Sequence, residues 1–377
     1  MKDRFSFGRL LAMMIKELIQ LRRDRLTFAM MVGNPIIQMT LFGFAINGDP
    51  RRLPTAVVAQ EQGVFTRSLV RALENTGYFE VVAPAANTAD AERMIARGEV
   101  QFVFTIPAGF ERRVLRGERP AVLLEADATD PSATGNAVGA VQQLAAGALR
   151  HDLTGPLATA PAQAPFEWRI HRRYNAEGIT QYNIVPGLMG VILTMTMIMM
   201  TGLAVAREVE RGTMENLLAT PVHPLEVMVG KIGPYVVIGF VQVTIILLAA
   251  RYVFDVPFEG SLALLMLGVL VFIGASLTVG ITISSVAQSQ MQAMQMTFFF
   301  FLPSLLLSGF MFPFRGMPEW AQFIGQALPL THFLRLIRGV MLKGSDWAAV
   351  WPHLWPLLLF TVVMLGIGLK RFRKTLD

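Results

Sequence analysis

The stretch from Arg207 to Lys231, REVERGTMENLLATPVHPLEVMVGK, lies between two long apolar segments and decides how the chain is organised. Five charged side chains fall within its first nine residues, namely Arg207, Glu208, Glu210, Arg211 and Glu215. A charged side chain at the centre of a bilayer costs about 2.5 to 3.5 kcal/mol on an insertion scale. We therefore predict that this segment lies in water or against protein, between two membrane spans.

The order of residues in this segment predicts helix, sharp turn, short helix, turn and helix. Gly212 permits a break, and Thr213 can cap the N-terminus of a new helix, where the acidic Glu215 suits the helix dipole. Pro221 ends that short helix. Pro224 fits the first position of the next helix, which leads into the following apolar segment.

The short helix is predicted to present one apolar face with charges beside it. Met214, Leu217 and Leu218 share a face at the spacing i, i+3, i+4, while Arg211 and Glu215 lie four residues apart next to them. Two interpretations fit this pattern. The face docks on a partner protein, or the segment is a polar hairpin on the lipid headgroups.

Composition indicates a protein that crosses the membrane several times. The chain has 377 residues, of which 53% are hydrophobic and 16% charged, whereas about a quarter of a soluble protein is charged. The net charge of +6 does not predict nucleic-acid binding, because the basic residues gather beside apolar segments. The chain has no cysteine, which excludes disulfides and thiol nucleophiles.

The predicted fold is a polytopic α-helical membrane protein with six transmembrane helices and an extracytoplasmic α/β domain inserted after the first. Fourteen basic residues flank the segments on the side of the termini and five lie opposite, so both termini are predicted to be cytoplasmic. The predicted segments are an amphipathic helix (1–25), TM1 (26–46), the α/β domain (47–178), TM2 (182–205), a cytoplasmic loop (206–231), TM3 (232–250), TM4 (261–283), TM5 (294–311), a proline-broken apolar segment (312–350), TM6 (351–369) and a cytoplasmic tail (370–377).

Within the α/β domain, strand-like and helix-like segments alternate. Strands are predicted near 55–60, 78–83, 101–106, 121–126 and 167–172, and helices near 63–76, 88–98, 108–117 and 131–152. In the proline-broken segment, Pro329 is predicted to start a helix that runs towards Gly344. His332, Arg335 and Arg338 form one polar edge of that helix, which suits charges that reach the outer interface, anionic headgroups or a substrate.

We predict no catalytic residue and no metal ligand in this chain, since no nucleophile arrangement or metal-ligand spacing is present, and the phosphate-loop pattern G-x-x-x-x-G-K-[ST] is absent. TM2 is rich in methionine, and Met197 and Thr201 within it are candidates for an adaptable substrate path. Phe298, Ser304 and Ser308 of TM5 are further candidates. Filling of gaps between helices is the favoured explanation of the same residues.

The loop pattern E-R-G-T-x-E-x-L, followed by Thr-Pro and by a lysine that opens the next span, resembles the cytoplasmic coupling loop of type-2 ABC transporter (ABC-2) permeases. The match is carried by Glu210, Arg211, Gly212, Thr213, Glu215, Leu217, Thr220, Pro221 and Lys231. The resemblance covers essentially the whole chain and is strongest to bacterial exporter permeases with a large periplasmic domain between spans one and two. It implies that residues 1–25 form an elbow helix and that residues 312–350 form re-entrant helices.

This resemblance implies a non-catalytic permease subunit of an exporter in the bacterial inner membrane. Its expected partners are two ATPase subunits, a second permease copy or a sister permease, and the lipid bilayer; a periplasmic adaptor is also compatible. ATP and Mg²⁺ would bind to the ATPase subunits, and this chain would bind no cofactor. The implied ATPase interface comprises Glu208, Glu210, Arg211, Gly212, Thr213, Met214, Glu215, Leu217, Leu218 and Pro221.

The substrate implied is hydrophobic or amphipathic: drug-like, lipid or ion. Two other functions stay open on the residues alone. The first is a membrane sensor or scaffold without transport, whose loop binds something other than an ATPase. The second is an ion-driven secondary transporter, which the absence of Asp and Glu from all six predicted spans disfavours.

The predicted topology is tested by single cysteines in the naturally cysteine-free chain. A cysteine at Asn87, in the α/β domain, should react in whole cells with a membrane-impermeant thiol reagent. A cysteine at Asn216, in the loop, should react only after the cells are opened. The reverse pattern would contradict the orientation and the assignment of the loop.

Overall fold

A computed structural model describes residues 50–144, 147–149, 151–153, 164–210 and 224–374. Two regions are present: an α/β domain, followed by a bundle of long apolar helices. The predicted amphipathic helix (1–25), TM1 (26–46) and the centre of the loop (211–223) lie outside the described residues. Their assignments therefore stay predictions.

All five strands predicted for the α/β domain are confirmed, and they form one mixed sheet. The strands are β1 Leu53–Ala59, β2 Phe79–Pro84, β3 Phe102–Ile106, β4 Ala121–Asp127 and β5 Glu167–Arg173. Their order across the sheet is β2-β1-β3-β4-β5. Neighbouring strands run parallel except for β3 and β4, which are antiparallel. The hydrophobic strands β1 and β3 occupy the interior of the sheet.

The helices of this domain pack on the sheet around an aromatic core. They are α1 Val64–Asn75, α2 Thr88–Ala96, α3 Phe110–Leu115 and α4 Pro131–Leu144. Phe102 and Phe104 of β3 are fully buried, and both contact the ring of Phe79 edge to face at centroid distances of 5.1 and 5.2 Å. A side-chain contact joins the neighbouring strands β4 and β5, where Arg173 Nε donates a hydrogen bond to Glu125 Oε1 at 2.8 Å.

The bundle contains five long helices and two shorter ones within the described ranges. These are α5 Thr180–Glu210, α6 Pro224–Tyr252, α7 Leu262–Ser284, α8 Gln290–Leu307, α9 Glu319–Gln326, α10 Pro329–Lys343 and α11 Trp347–Lys374. Among the described residues, four helices are long and apolar enough to cross a membrane: α5, α6, α7 and α11. They correspond to the predicted TM2, TM3, TM4 and TM6.

Helix α8 corresponds to the predicted TM5, but it starts and ends about four residues earlier than 294–311. Its first turns include the polar Gln290, Gln292 and Gln295, and α8 is not among the four helices that qualify as spans by length and composition. Eighteen residues of α-helix nevertheless extend about 27 Å. Six spans in total therefore stay a prediction.

The segment 312–350 folds as a short 3₁₀ turn, Phe314–Gly316, followed by α9 and α10. Helix α10 has the predicted start and end: Pro329 opens it, and Gly344 follows it in the left-handed conformation, with φ of 64°. The apolar face of α10 is buried against α5, α7 and α11. Whether α9 and α10 enter the membrane stays a prediction.

The α/β domain lies at one end of the bundle, which we call the domain end. Helix α10 contacts this domain through Lys343, and α5 contacts it through Asn183. The last residue of α5, Glu210, lies at the opposite end and contacts the first residue of α8, Gln290. We call this opposite end the loop end, because Glu210 lies in the predicted cytoplasmic loop (206–231).

Helices α5 and α7 approach each other closely near the loop end, where both carry a glycine. A Cβ atom placed on Gly280 would lie 2.8 Å from both Ile198 O and Thr201 Cβ, and a Cβ atom placed on Gly202 would lie 3.7 Å from Gly280 O. Small residues allow helix backbones to pack closely in membrane proteins. These two glycines therefore set the distance between α5 and α7.

We predict that Gly280→Ala destabilises the bundle by about 1 to 3 kcal/mol, because the added methyl group would overlap the backbone of α5. Thermal unfolding in detergent, followed by tryptophan fluorescence, measures the change. The control is Gly366→Ala on α11, where a Cβ meets nothing within 4 Å. Equal unfolding temperatures for the two variants would contradict the close packing.

Candidate functional site

Of the ten residues predicted to contact the ATPase, Glu208 and Glu210 lie in the described residues, at the end of α5. Arg211, Gly212, Thr213, Met214, Glu215, Leu217, Leu218 and Pro221 lie outside them. Glu210 Oε2 accepts hydrogen bonds from the backbone N and from Nε2 of Gln290, each at 3.1 Å. Helix α5 thus extends through the first five residues of the predicted loop (206–231), and its last residue is bonded to the start of α8.

The start of α8 is a well-capped helix terminus. Ser289 is its N-cap, and its hydroxyl accepts a hydrogen bond from Gln292 N at 3.2 Å. The Glu210 carboxylate lies beside this terminus, where the helix dipole favours negative charge. Arg207 Nε adds a hydrogen bond to Gln290 Oε1 at 3.3 Å. We call Arg207, Glu210 and Gln290 the α5–α8 bracket.

Met197 and Thr201, the substrate-path candidates on α5, lie inside helix contacts of the single chain. Met197 is 0% exposed and belongs to the main core of the bundle. Thr201 is 2% exposed beside Gly280, and its hydroxyl oxygen is buried without a hydrogen-bond partner within the described part of the chain. Both residues fill space between α5 and its neighbours in this conformation.

The candidates on α8 and just after it are placed differently from one another. Ser304 is fully buried and donates to Phe300 O at 2.7 Å, whereas Phe298 is 45% exposed. Ser308 donates to Leu305 O at 3.0 Å and lines a cavity at the domain end. The five candidates do not share one surface of the single chain. Their role in a substrate path stays a prediction.

A buried ion pair joins the bundle to the α/β domain. Lys343, the last residue of α10, donates to Asp127 Oδ2, at the end of β4, and their side chains are only 10% and 9% exposed. Thr129 holds the second carboxylate oxygen, since its hydroxyl donates to Asp127 Oδ1 at 2.8 Å. Lys343 Nζ also donates to Ile95 O at 3.4 Å. Each charge thus has several polar partners.

A second polar connection runs beside the ion pair. Asn183 Nδ2, near the start of α5, donates to Thr129 O at 3.0 Å. The guanidinium of Arg338 on α10 donates to Asn183 Oδ1 at 2.7 Å and to Gly309 O at 3.1 Å. One arginine therefore links α10, α5 and the segment after α8, next to the contact with the sheet.

These connections border a cavity of about 350 Å³ between the α/β domain and the bundle. Its ionisable lining residues are mostly basic: Arg97, Arg315, Arg335, Arg338, Lys343 and His353, with Asp127 and Asp130 as the acidic ones. Among the described residues, no group of three or more His, Cys, Asp or Glu side chains could hold a metal ion. The polar edge predicted on α10 thus faces protein, with Arg335 and Arg338 at the cavity.

Little in the sequence predicts this junction. Asp127 and Lys343 are 216 residues apart in the chain, and neither lies in a recognisable motif. By sequence, Lys343 is only one basic residue among several near the predicted spans. The one available signal is the spacing of His332, Arg335 and Arg338 on a single edge of α10, and this spacing does not specify what they contact.

We predict that Asp127→Asn and Lys343→Met each cost about 3 to 5 kcal/mol of stability, because each leaves an uncompensated buried charge. The double variant should be less destabilised than the sum of the single variants. Thermal unfolding in detergent measures all three. The control is Glu118→Gln, which removes an exposed pair with Arg116 and should cost at most about 1 kcal/mol. Single variants no worse than this control would contradict a structural role for the buried pair.

Comparisons with known proteins place the chain in a family. Probable multidrug ABC transporter permease YbhR of Escherichia coli is 28% identical to it over 98% of this chain and 99% of its own length. Inner membrane transport permease YhhJ of Escherichia coli is 29% identical over 96% of both chains. ABC transporter G family member 20 of Dictyostelium discoideum is 27% identical over 94% of this chain and 50% of its own length. The model of the family described as ABC-2 family transporter protein matches residues 25–370, and the chain therefore belongs to the ABC-2 family of transporter proteins.

Proposed function

We propose that the chain is the permease subunit of an ATP-driven exporter that moves a hydrophobic or amphipathic substrate out of the cytoplasm. Two ATPase subunits would bind ATP and Mg²⁺, and a second permease copy or a sister permease would complete the path. The relatives from Escherichia coli are named permeases, and one of them is named for multidrug transport. A separate ATPase is also consistent with the absence of a phosphate-loop motif from the full sequence.

The α5–α8 bracket is the observation that carries this proposal. A subunit driven by an external ATPase needs a mechanical connection from its docking loop to the helices that line the path. The bracket supplies such a connection, because Glu210 belongs to the predicted coupling loop (206–231) and accepts a hydrogen bond from the first backbone N–H of α8. A displacement of the loop would therefore move the ends of α5 and α8 together.

Helix packing supports transmission of that movement through the bundle. Helix α5 is continuous over 31 residues, about 46 Å, from the domain end to the loop end. It packs closely on α7 at Gly202 and Gly280 and also contacts α8. ATP-driven approach of two coupling loops would shift the population between an inward-closed and an outward-open arrangement.

An exposed apolar stripe on α5 suits contact with another membrane segment. Ile184, Leu188 and Ile192 recur every four residues and are 41%, 38% and 37% exposed, and Met200 continues the stripe. Phe298 on the neighbouring α8 is also exposed. We propose that α5 and α8 of two permease subunits face one another and enclose the substrate path. In this arrangement Met197, Thr201, Ser304 and Ser308 would reach the substrate only after the helices move.

The proposal predicts two separable defects at the loop end. Glu215→Arg reverses a charge in the predicted docking helix and should sharply reduce the amount of ATPase that co-purifies with the permease. Gln290→Ala, outside the implied ATPase interface, removes the side-chain hydrogen bonds to Glu210 and Arg207, so ATPase binding should persist while export falls several-fold. Co-purification, ATP hydrolysis in lipid and efflux from cells are measured for each variant.

The matched control is Glu118→Ala, an exposed glutamate of the α/β domain that should preserve every activity. Thr213→Ala should weaken the docking helix by about 1 kcal/mol through loss of its N-cap. Permease purified without its ATPase should hydrolyse no ATP. If Glu215→Arg and Thr213→Ala both retain full ATPase binding and export, the loop is not the coupling element.

A further inference from the structure

The basic cavity at the domain end contains more positive charge than its own carboxylates balance. Five arginine and lysine side chains line it, against Asp127 and Asp130. Two of these cations form ion pairs, Lys343 with Asp127 and Arg97 with Glu99, which leaves Arg315, Arg335 and Arg338 against Asp130. Within the described ranges, neither Arg315 nor Arg335 forms an ion pair with a carboxylate of the chain. Such a concentration of cations in a partly enclosed space favours an anion.

Arg335 is held in place by a contact that leaves its hydrogen-bond donors available. Its guanidinium lies over the ring of Phe314, 4.5 Å from the ring centre, and this stacking does not use the N–H groups. Burial, and then the positive charge of Arg315, lower the pKa of Arg335 to about 10. An anion between the two guanidinium groups would replace the hydrogen bonds that Arg335 loses to water on burial. It would also neutralise the repulsion between Arg315 and Arg335.

Arg338, deeper in the cavity, is also incompletely satisfied. Two of its nitrogens bond to Asn183 and Gly309, but its Nε is buried without a hydrogen-bond partner in the described part of the chain. A buried donor without a partner costs about 1 to 3 kcal/mol. Polar side chains of Gln322 and Gln326 from α9 line the same space. The cavity thus offers convergent donors from α9 and α10.

The position of the cavity indicates which anion is available to it. Trp347, Trp351 and Trp355 form an exposed stripe on the first turns of α11, and tryptophan is enriched at membrane–water interfaces. Val350 and His353, on the same turns, line the cavity. The cavity therefore lies at the depth where phospholipid phosphates are found, and it also borders the α/β domain.

We propose that this cavity is a binding site for a phosphate group, with Arg315 and Arg335 as its principal ligands and Arg338 as a deeper contact. Guanidinium groups bind phosphate oxygens through paired N–H donors, and a cavity of about 350 Å³ accommodates a phosphorylated headgroup. The phosphate belongs either to an anionic phospholipid or to a soluble phosphate ester. Occupancy would strengthen the contact between the α/β domain and the bundle, because the ligands of the site belong to elements that border this junction. Phosphate binding at this cavity does not require that the chain act as an exporter.

The test measures thermal unfolding of the full chain in two arms. In the first, the protein in neutral detergent is titrated with sodium phosphate, with sodium chloride at equal ionic strength as the reference. In the second, the protein is reconstituted into phosphatidylcholine alone or into an equal mixture of phosphatidylcholine and phosphatidylglycerol. Phosphate also stabilises proteins by exclusion from their surface, so only the part of the stabilisation that the cavity variants lose reports on the site. Such a loss in the first arm identifies a site open to soluble phosphate, and such a loss in the second arm alone identifies a lipid headgroup site.

Arg335→Gln should lower the affinity for the stabilising phosphate or lipid about tenfold or more, because the substitution removes both a positive charge and a charged hydrogen bond. Arg315→Gln, at an exposed position, should lower the affinity similarly, and it provides the test of the site if Arg335→Gln fails to fold. Arg335→Lys keeps the charge without the paired donors, so its effect should lie between that of the natural chain and that of Arg335→Gln. The control is Arg67→Gln on α1, an exposed arginine with the same change of charge away from the cavity.

Two results would overturn the proposal. The first is an unfolding temperature of the natural chain that neither phosphate nor phosphatidylglycerol raises. The second is stabilisation that changes equally in Arg67→Gln and in the cavity variants, whether it is lost or retained, which would show that the effect does not depend on the cavity.

Discussion

The buried ion pair between Lys343 and Asp127 is the central contact between the helix bundle and the α/β domain. It joins the last residue of α10 to the last residue of β4, at side-chain exposures of about a tenth. Charges so buried are stable only where additional hydrogen bonds compensate their lost hydration, and Thr129 and Ile95 supply these bonds. The contact is directional, and with the hydrogen bonds of Asn183 to Thr129 O and of Arg315 to Gly98 O it favours one orientation of the sheet against the bundle.

Helix α5 connects this junction to the opposite end of the molecule. At the domain end, Asn183 bonds to Thr129 O and receives a hydrogen bond from Arg338. At the loop end, Glu210 bonds to the first residue of α8. Between these ends the helix packs directly on α7, since Gly280 leaves no room for a side chain. An ATPase acting at the loop end and a ligand at the domain end would both act on the same rigid helix.

The two ends also differ in how they use charge. At the loop end, one carboxylate complements the dipole of a capped helix, which gives a directional contact suited to transmitting movement. At the domain end, basic residues exceed acidic ones around a cavity, and a bound anion would relieve their mutual repulsion. One end of the bundle thus has a hydrogen-bonded contact between two helix termini, and the other has a basic cavity.

Local patterns of residues were sufficient to predict the class of protein, the strands of the sheet, the four qualifying spans, and the start and end of α10. These features follow from periods of hydrophobicity and from proline and glycine, which act within a few residues. The predicted start of α8 lies about four residues too late, because its glutamines interrupt the apolar pattern, although Ser289 followed by Gln292 is a local N-cap signal. The Lys343–Asp127 pair and the basic cavity arise only in the folded chain. Residues 216 positions apart meet there through the packing of whole elements, and no local pattern encodes their distance.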